Sequence, residues 1–391
     1  MSTQRNIALA LSGGGYRAAY FHLGVLKKLD ELELLDRIGI ISSVSGGSIL
    51  AGLYATALVN NEPFVSFHDR ALGFLNGLIP LDWPVMIHDI LPWSRSSRGL
   101  EKKFRKQYSR NGQPIMMEEL KDLMPTFIFN ATAVHSGAGW RFIAGGTADH
   151  WELGHTHSQA FVPRFFRYAC NVSLAKAVAA SSAFPTFTAV TIPRKKIKQI
   201  DLALPIDGAI DAIVPQIPRQ LPDPLCLSDG GVLDNIGVTS IVAGEGLYAA
   251  SDDYYLIASD AGAVVKKLNS PPRGRLRKVH YLMRQFEMRG HHNNLMTSFL
   301  TLRYHRRELP TKGIAMLNIS EAVPHAGETL EEVGKLTSIS TRLRRLPGHT
   351  SGKLISHGSN LLWSRVTEYM PELLPSKRWM PGTEKKQAAD I

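Results

Sequence analysis

Residues 41–48 read ISSVSGGS and place Ser45 between an apolar run and two glycines. The run Ile38–Val44 is predicted to be a strand, and residues 47–58, rich in alanine and leucine, to be the helix that follows. A serine on such a sharp turn projects its Oγ from the edge of the sheet, where a reacting molecule can reach it. The stretch therefore indicates a strand, a tight turn and a helix, with a nucleophile at the turn.

The same pattern occurs upstream in residues 7–26, IALALSGGGYRAAYFHLGVL. Ile7–Leu11 is predicted to be a buried strand, and residues 17–29 a helix, because their apolar side chains fall near helical spacing. A strand and helix followed by another strand and helix imply parallel pairing, since each helix carries the chain back to the start of the sheet. The predicted fold class is therefore α/β with a central, mostly parallel sheet.

The glycines of the first turn are compatible with two functions. Gly13, Gly15 and Ala18 satisfy the pattern G-x-G-x-x-G/A of dinucleotide-binding folds. However, the second strand ends at residues 41–44, ISSV, without the acid that would hold a ribose. The other function is an oxyanion site, because glycines let consecutive backbone N–H groups converge just ahead of a helix N-terminus. We favour the oxyanion site.

The oxyanion site involves the amides of Gly13, Gly14 and Gly15 in this interpretation. Arg17 follows inside the predicted helix. Its guanidinium either adds a fixed positive charge to the site or pairs with a carboxylate and holds the loop. Both roles stay open at the level of the sequence.

Ser45 and Gly47 match the nucleophile-elbow pattern G-x-S-x-G, with Ser43 in place of the first glycine. The candidate base is Asp229, in the stretch 227–235, LSDGGVLDN. An aspartate followed by two glycines is often only a turn. In a site that excludes water, however, a carboxylate hydrogen-bonded to Ser45 accepts the hydroxyl proton directly, provided that burial raises its pKa.

A Ser-His-Asp esterase on an α/β-hydrolase-like fold is the alternative from the residues alone. That fold requires a histidine after the acid, and the histidines after Asp229 are His280, His291, His292, His305, His325, His349 and His357. Position argues against this alternative. Only two predicted strands precede Ser45, whereas that fold places several before its nucleophile.

The formal net charge of +11 raises the question of a polyanionic partner, either nucleic acid or an anionic membrane surface. Basic residues form local groups at 95–110, 194–198, 273–278 and 303–307. Between residues 61 and 99, prolines and aromatic rings precede basic side chains, a combination that suits a lipid headgroup boundary. We expect an anionic membrane partner and not nucleic acid. A non-catalytic basic lipid- or nucleic-acid-binding protein remains the rival hypothesis.

The N-terminal residues enter an apolar run without a charged n-region or a small-residue cleavage site, so no signal peptide is predicted. No stretch approaches the roughly 18 uninterrupted apolar residues of a membrane span. We therefore expect a cytoplasmic protein with peripheral membrane association. The two cysteines cannot by themselves form a thiolate metal site, and no cofactor is expected.

Four stretches together resemble the patatin-like phospholipase family: GGGYR at 13–17, SVSGGS at 43–48, SLAKAVAASSAFP at 173–185 and DGGVLDN at 229–235. Their order and spacing match that family over residues 7 to about 262. The resemblance implies a three-layer α/β/α fold and a metal-independent lipid acyl hydrolase of the phospholipase A or lysophospholipase type. Mapped onto this sequence, it implies Ser45 as nucleophile, Asp229 as general base, and Gly13, Gly14 and Gly15 as the oxyanion loop, supported by Arg17.

The expected domain organisation follows from this resemblance. Residues 1–262 are expected to form the catalytic domain, with an aromatic and basic insertion at about 61–125. Residues 263–382 are expected to be a mostly helical extension packed on that domain, with weaker similarity near 341–360. Residues 383–391 are expected to be a disordered tail. Nothing in the sequence indicates an oligomeric state.

Overall fold

The computed structural model describes residues 5–77, 96–135, 137, 139–145, 155–156, 166–170, 172–183, 189–202, 222–242, 254–262, 311–341 and 346–374. Several expectations fall on other residues. The prolines and tryptophans between 78 and 95, the basic groups at 273–278 and 303–307, and the tail 383–391 lie outside the described residues.

The strands of the described residues are β1 (Ile7–Leu11), β2 (Ile38–Val44), β3 (Ser109–Arg110), β4 (Gln113–Pro114), β5 (Thr126–Ala133), β6 (Gly139–Ala144), β7 (His155–Thr156), β8 (Phe166–Cys170), β9 (Val190–Ile192), β10 (Ile197–Leu202), β11 (Leu225–Asp229), β12 (Tyr254–Asp260) and β13 (Thr311–Asn318). The α-helices are α1 (Gly15–Glu31), α2 (Gly46–Val59), α3 (Phe64–Gly77), α4 (Ser96–Gln107), α5 (Leu174–Ser181), α6 (Thr239–Val242), α7 (Leu330–Thr337) and α8 (Gly348–Tyr369).

A central mixed sheet organises the chain, in the order β13-β12-β1-β2-β5-β11-β9, with β6 on β5 and β7 on β6. The neighbours from β13 to β5 are parallel, whereas β11, β9 and β6 are antiparallel to their partners. The predicted α/β fold with a central, mostly parallel sheet is therefore confirmed.

Both faces of the sheet are buried, which explains why its parallel strands are continuous apolar runs. Alternate residues of β1 enter different clusters: Leu9 joins the large core that includes α1, α2, α5 and α8, and Ala10 joins a smaller one with Ile236 and Val238. Helical layers therefore flank the sheet, and the strands are held between them.

The edge of β5 brings two chain segments together. β2 pairs with β5 as far as Val44, which lies opposite Asn130. β6 pairs with the opposite edge of β5 as far as Thr132. The edge of β5 that β2 occupies is therefore the one left free beyond Val44, and β11 pairs there, with Asp229 opposite Ala131. The last residue of β11 and the turn after β2 are neighbours for this reason.

The C-terminal region contributes to the same sheet. β13 runs parallel to β12 over its whole length, so the sheet extends across the boundary expected at residue 262. α8 crosses α1 at backbone contact: a Cβ on Gly358 would lie 2.1 Å from the carbonyl oxygen of Phe21, and one on Gly24 would lie 1.9 Å from that of Ile355. Neither this strand nor this crossing is predicted from the sequence.

Candidate active site

Ser45 occupies a strained turn between β2 and α2. Its backbone has φ 49° and ψ −114°, a conformation that residues other than glycine rarely adopt. Its side chain does not cap the helix, although Ser45 stands at the N-cap position. The hydroxyl is thus available for chemistry, and the strain is of the kind found in nucleophile elbows.

The two glycines after Ser45 allow the two strand–helix turns to touch. A Cβ on Gly46 would lie 2.1 Å from the carbonyl oxygen of Gly15, and one on Gly47 would lie 2.3 Å from that of Leu11. The Gly47 amide also donates to the Ser12 carbonyl over 3.1 Å. The glycine loop after β1 therefore lies directly against the turn that carries Ser45.

Ser43, which replaces the first glycine of the elbow pattern, fits the structure without crowding. Its side chain is fully buried, and its Oγ donates to the Ile128 carbonyl over 3.0 Å. It also accepts a hydrogen bond of 2.9 Å from the Ser48 hydroxyl. The serine at this position is therefore satisfied by one hydrogen bond to β5 and one from α2.

Asp229 is buried next to this turn, with 2% of its surface exposed. Its Oδ1 accepts a hydrogen bond of 2.7 Å from the Gly231 amide, whereas its Oδ2 has no hydrogen-bond partner of normal geometry among the described residues. Burial raises the pKa of the carboxyl from 3.8 to about 7, and the Gly231 amide and the Ser45 hydroxyl act in the opposite direction. A carboxylate with one unoccupied oxygen and a pKa near neutrality is suited to accept a proton.

The glycine loop supplies two candidate oxyanion donors. Gly14 and Gly15 both have positive φ, of 143° and 60°, and their amides make no hydrogen bond to any described residue. Gly13 differs from the expectation, because its amide donates to the Asn235 carbonyl over 2.8 Å. Its N–H is therefore engaged in joining the glycine loop to the loop of Asp229, and the candidate donors are reduced to Gly14 and Gly15.

Arg17 takes neither of its two expected roles in full. Its guanidinium is buried and donates to four backbone carbonyls: Thr337 (2.8 Å), Ile339 (2.9 Å), Ala261 (2.8 Å) and Gly262 (2.6 Å). Burial lowers its pKa to about 10, against the attraction of Asp260. Arg17 thus holds the loop, as one expectation had it, but through carbonyl groups, because the ends of β12 and of the segment after α7 surround it.

Asn130 is a structural residue of the site that the sequence analysis missed. Its amide group donates to the Ser42 hydroxyl and to the Ser43 carbonyl, both over 2.9 Å. Its Oδ1 accepts from the Ser240 hydroxyl over 2.5 Å. The available signal was an amide side chain within a strand rich in apolar residues, because a buried polar side chain requires partners.

His22 lies beneath the glycine loop and was also missed, since it reads as an ordinary residue of a buried helix. Its Nε2 lies 3.0 Å from the Ser12 carbonyl oxygen and its Nδ1 lies 2.9 Å from the Ser259 hydroxyl. Burial lowers its pKa to about 4, with the Ser12 carbonyl opposing the shift. The ring is therefore neutral at pH 7 and supports the loop from below.

No described histidine hydrogen-bonds to Ser45 or Asp229. His357 is bound instead to Glu328 (2.7 Å) and to the Ile319 carbonyl (3.0 Å), and His325 and His349 are exposed. The other histidines that follow Asp229, at positions 280, 291, 292 and 305, lie outside the described residues. Among the described residues, the side chain that acts on the Asp229 carboxyl is the Ser45 hydroxyl, which lowers its pKa.

Within the described ranges, His, Cys, Asp and Glu side chains form no group of three or more that could hold a metal ion. None of the helices described is both long and apolar enough to span a membrane.

Two solved structures that are similar to this chain share its fold at low sequence identity. Human GIVD cytosolic phospholipase A2 aligns with 94% of this chain at 11% identity and a TM-score of 0.49, and 62% of its own chain is covered. VipD from Legionella pneumophila aligns with 94% at 11% identity and a TM-score of 0.42, with 68% of its chain covered. None of the curated proteins compared matches this chain.

A comparison with protein-family models matches the part of the chain that contains the candidate site. The model described as Patatin-like phospholipase matches residues 9–242, which include the glycine loop, the Ser45 turn and Asp229. This confirms the expected resemblance and supports lipid acyl hydrolase activity. The chain belongs to the patatin-like phospholipase family.

Proposed function

We propose that the chain is a lipid acyl hydrolase of the phospholipase A or lysophospholipase type that acts through a dyad of Ser45 and Asp229. The observation that carries the proposal is the buried Asp229 carboxyl, whose Oδ2 is unoccupied and whose pKa is influenced by the Ser45 hydroxyl. The strained backbone of Ser45 and the unengaged amides of Gly14 and Gly15 supply the other parts of an acyl-transfer site.

The first half-reaction forms an acyl-enzyme. Asp229 accepts the Ser45 proton as Oγ attacks the ester carbonyl of a fatty acyl chain. The amides of Gly14 and Gly15 stabilise the negative charge on the tetrahedral oxygen. The C–O bond to the glycerol oxygen then breaks, and Asp229 returns the proton to that leaving oxygen.

The second half-reaction releases the fatty acid. Asp229 takes a proton from water, whose oxygen attacks the acyl-enzyme carbonyl, and the bond to Ser45 Oγ breaks with return of the proton to the serine. A single carboxylate serves both steps, because it is regenerated after each of them.

Mass spectrometry of lipid products tests this proposal. Wild type, Ser45→Ala and Asp229→Asn are incubated with vesicles of phosphatidylethanolamine and phosphatidylglycerol, and free fatty acid and lysolipid are quantified. We expect release by wild type and a loss of at least about a hundredfold in both variants, the scale of losing one oxyanion donor in a comparable hydrolase. Asp223→Asn, an exposed aspartate before β11, is the matched control. Near-wild-type activity in either dyad variant would refute the dyad.

We further propose peripheral docking on anionic lipid through the basic face of α4. On this helix Leu100 and Phe104 are buried, whereas Lys102, Lys103 and Lys106 are exposed. Such a face is attracted to anionic headgroups at about 1 kcal/mol per basic residue, and salt weakens the attraction. Vesicle sedimentation with and without phosphatidylglycerol, in low and high salt, tests it. Binding that depends neither on phosphatidylglycerol nor on salt would contradict this docking proposal.

A further inference from the structure

The segment at the end of α5 contacts both backbone polar groups of Ser45. The Ser45 amide donates to the Ser181 carbonyl and to the Ser181 hydroxyl, each over 3.2 Å. The Ser182 hydroxyl donates to the Ser45 carbonyl over 3.1 Å. The strained turn is therefore held on its N–H side and on its C=O side by two consecutive serines.

The Ser181 hydroxyl oxygen is the acceptor in its bond with Ser45, because an amide N–H can only donate. Ser181 Oγ donates to the Asn130 carbonyl over 2.5 Å, so its lone pairs are left to accept from Ser45. Ser48 lies 2.8 Å from the same oxygen and links it to Ser43. Because both Ser181 and Ser48 are buried, water does not compete for this arrangement.

The next residue of the segment contacts the other member of the dyad. The Ala183 carbonyl accepts hydrogen bonds from the Asp229 amide over 2.9 Å and from the Ser228 hydroxyl over 3.1 Å. Three consecutive residues thus touch the turn of the nucleophile and the strand of the base. These residues belong to the stretch 173–185, to which neither the sequence nor the proposed mechanism gives a role.

We propose that Ser181 and Ser182 are positioning residues, which keep Ser45 in its strained conformation and set its distance from Asp229. This inference rests on the proposed function, since it concerns the same nucleophile and base. A change in the position of Oγ by a fraction of an ångström affects the chemical step more than the binding of substrate. Removing either hydroxyl should therefore lower kcat and leave KM nearly unchanged.

The test compares Ser181→Ala, Ser182→Ala and the double variant with Ser173→Ala. Ser173 caps the other end of the same helix, where its Oγ accepts from the Lys176 amide over 3.3 Å, and it does not contact Ser45. Three quantities are measured: kcat and KM on a soluble p-nitrophenyl ester, the rate of Ser45 labelling by a fluorophosphonate, and Tm. Ser182→Thr, which restores a hydroxyl, is the rescue variant.

We expect kcat and the labelling rate to fall together by roughly tenfold to a hundredfold in the alanine variants, with KM within about twofold. Ser182→Thr should recover part of the loss. Ser173→Ala should lower Tm and keep both rates. Where Ser181→Ala does not fold, Ser182→Ala decides, because its hydroxyl bonds only to Ser45 among the described residues.

Two results would overturn the inference. The first is folded alanine variants with wild-type labelling and turnover. The second is loss of rate in Ser173→Ala in proportion to its Tm, which would reduce the serines to ordinary stabilisation of α5. Mapping the peptide that carries the fluorophosphonate label distinguishes failure of the positioning role from failure of the proposed function. Absence of label on Ser45 in the wild type would refute the dyad, and the positioning role with it.

Discussion

At the scale of single residues, the proposed chemistry depends on a carboxyl, that of Asp229, that burial has made more basic. An exposed aspartate with a pKa of 3.8 is too weak a base to take a serine proton, and burial raises the pKa of Asp229 to about 7. The Gly231 amide orients the group through Oδ1, and Oδ2 has no hydrogen-bond partner of normal geometry among the described residues. Asp229 thus owes its basicity to burial and its orientation to the Gly231 amide.

The pH dependence of activity follows from this pKa. Asp229 must be deprotonated to act as a base, so kcat/KM on a soluble ester should rise with pH through about 7 and level off above it. The profile of the free enzyme, measured with an uncharged substrate, checks this expectation. A profile that is flat between pH 5 and pH 8 would mean that another group is the base.

The raised pKa of Asp229 also predicts how the substitution Asp229→Asn changes the stability of the fold with pH. A carboxyl whose folded pKa is raised destabilises the fold once it is ionised, so the penalty grows from about pH 4 to about pH 7 and is complete above. Asparagine keeps the acceptor for Gly231 without the charge. We expect the variant to be more stable at pH 8, by up to about 4 kcal/mol, and no different at pH 3. Urea unfolding at both pH values measures the difference.

At the scale of elements, the sequence predicts the strands and helices that are determined by residues close together in the chain. Strands at 7–11 and 38–44 and the helices that follow them agree with β1, β2, α1 and α2, because apolar runs, glycine turns and helical spacing coincide there. β13 was missed because Thr311–Asn318 contains a lysine and a glycine and owes its extended form to pairing with β12.

Glycines in α8 provide a paired prediction at this scale. Helix propensity alone favours alanine over glycine at any helical position, by about 0.5–1 kcal/mol. Gly352 has no atom within 4 Å of an added Cβ, so Gly352→Ala should stabilise the fold by that amount. Gly358→Ala should destabilise it by about 1–3 kcal/mol, because its Cβ would meet the Phe21 carbonyl. Urea unfolding of both variants compares them, and equal signs would contradict the close crossing.

At the scale of the whole molecule, Arg17 connects the glycine loop to the C-terminal region. Its partners Thr337 and Ile339 are far from it in the chain, and no pattern in the sequence announces them. The sequence could therefore place Arg17 near the oxyanion loop, through the resemblance, but could not say what it binds. Contacts between distant segments are the part of this site that local patterns leave undetermined.

Arg17→Lys tests this connection while the positive charge is kept. A lysine ammonium cannot reach the four carbonyls that the planar guanidinium bridges, so buried acceptors lose their donors. We expect a loss of at least about 2 kcal/mol in the free energy of unfolding. Hydrogen exchange should also rise in both the 13–17 loop and the segment after α7. Exchange that rises in only one of them would contradict a shared anchor.

The antiparallel pairing of β11 with β5 determines which changes the site can survive over the course of evolution. Side chains alternate between the two faces of a strand, so inserting or deleting one residue in Leu225–Asp229 would turn the carboxyl away from Ser45. Substitutions elsewhere in β11 leave that direction intact. The number of residues in β11 must therefore stay constant, whereas its other positions tolerate any residue that fits the core.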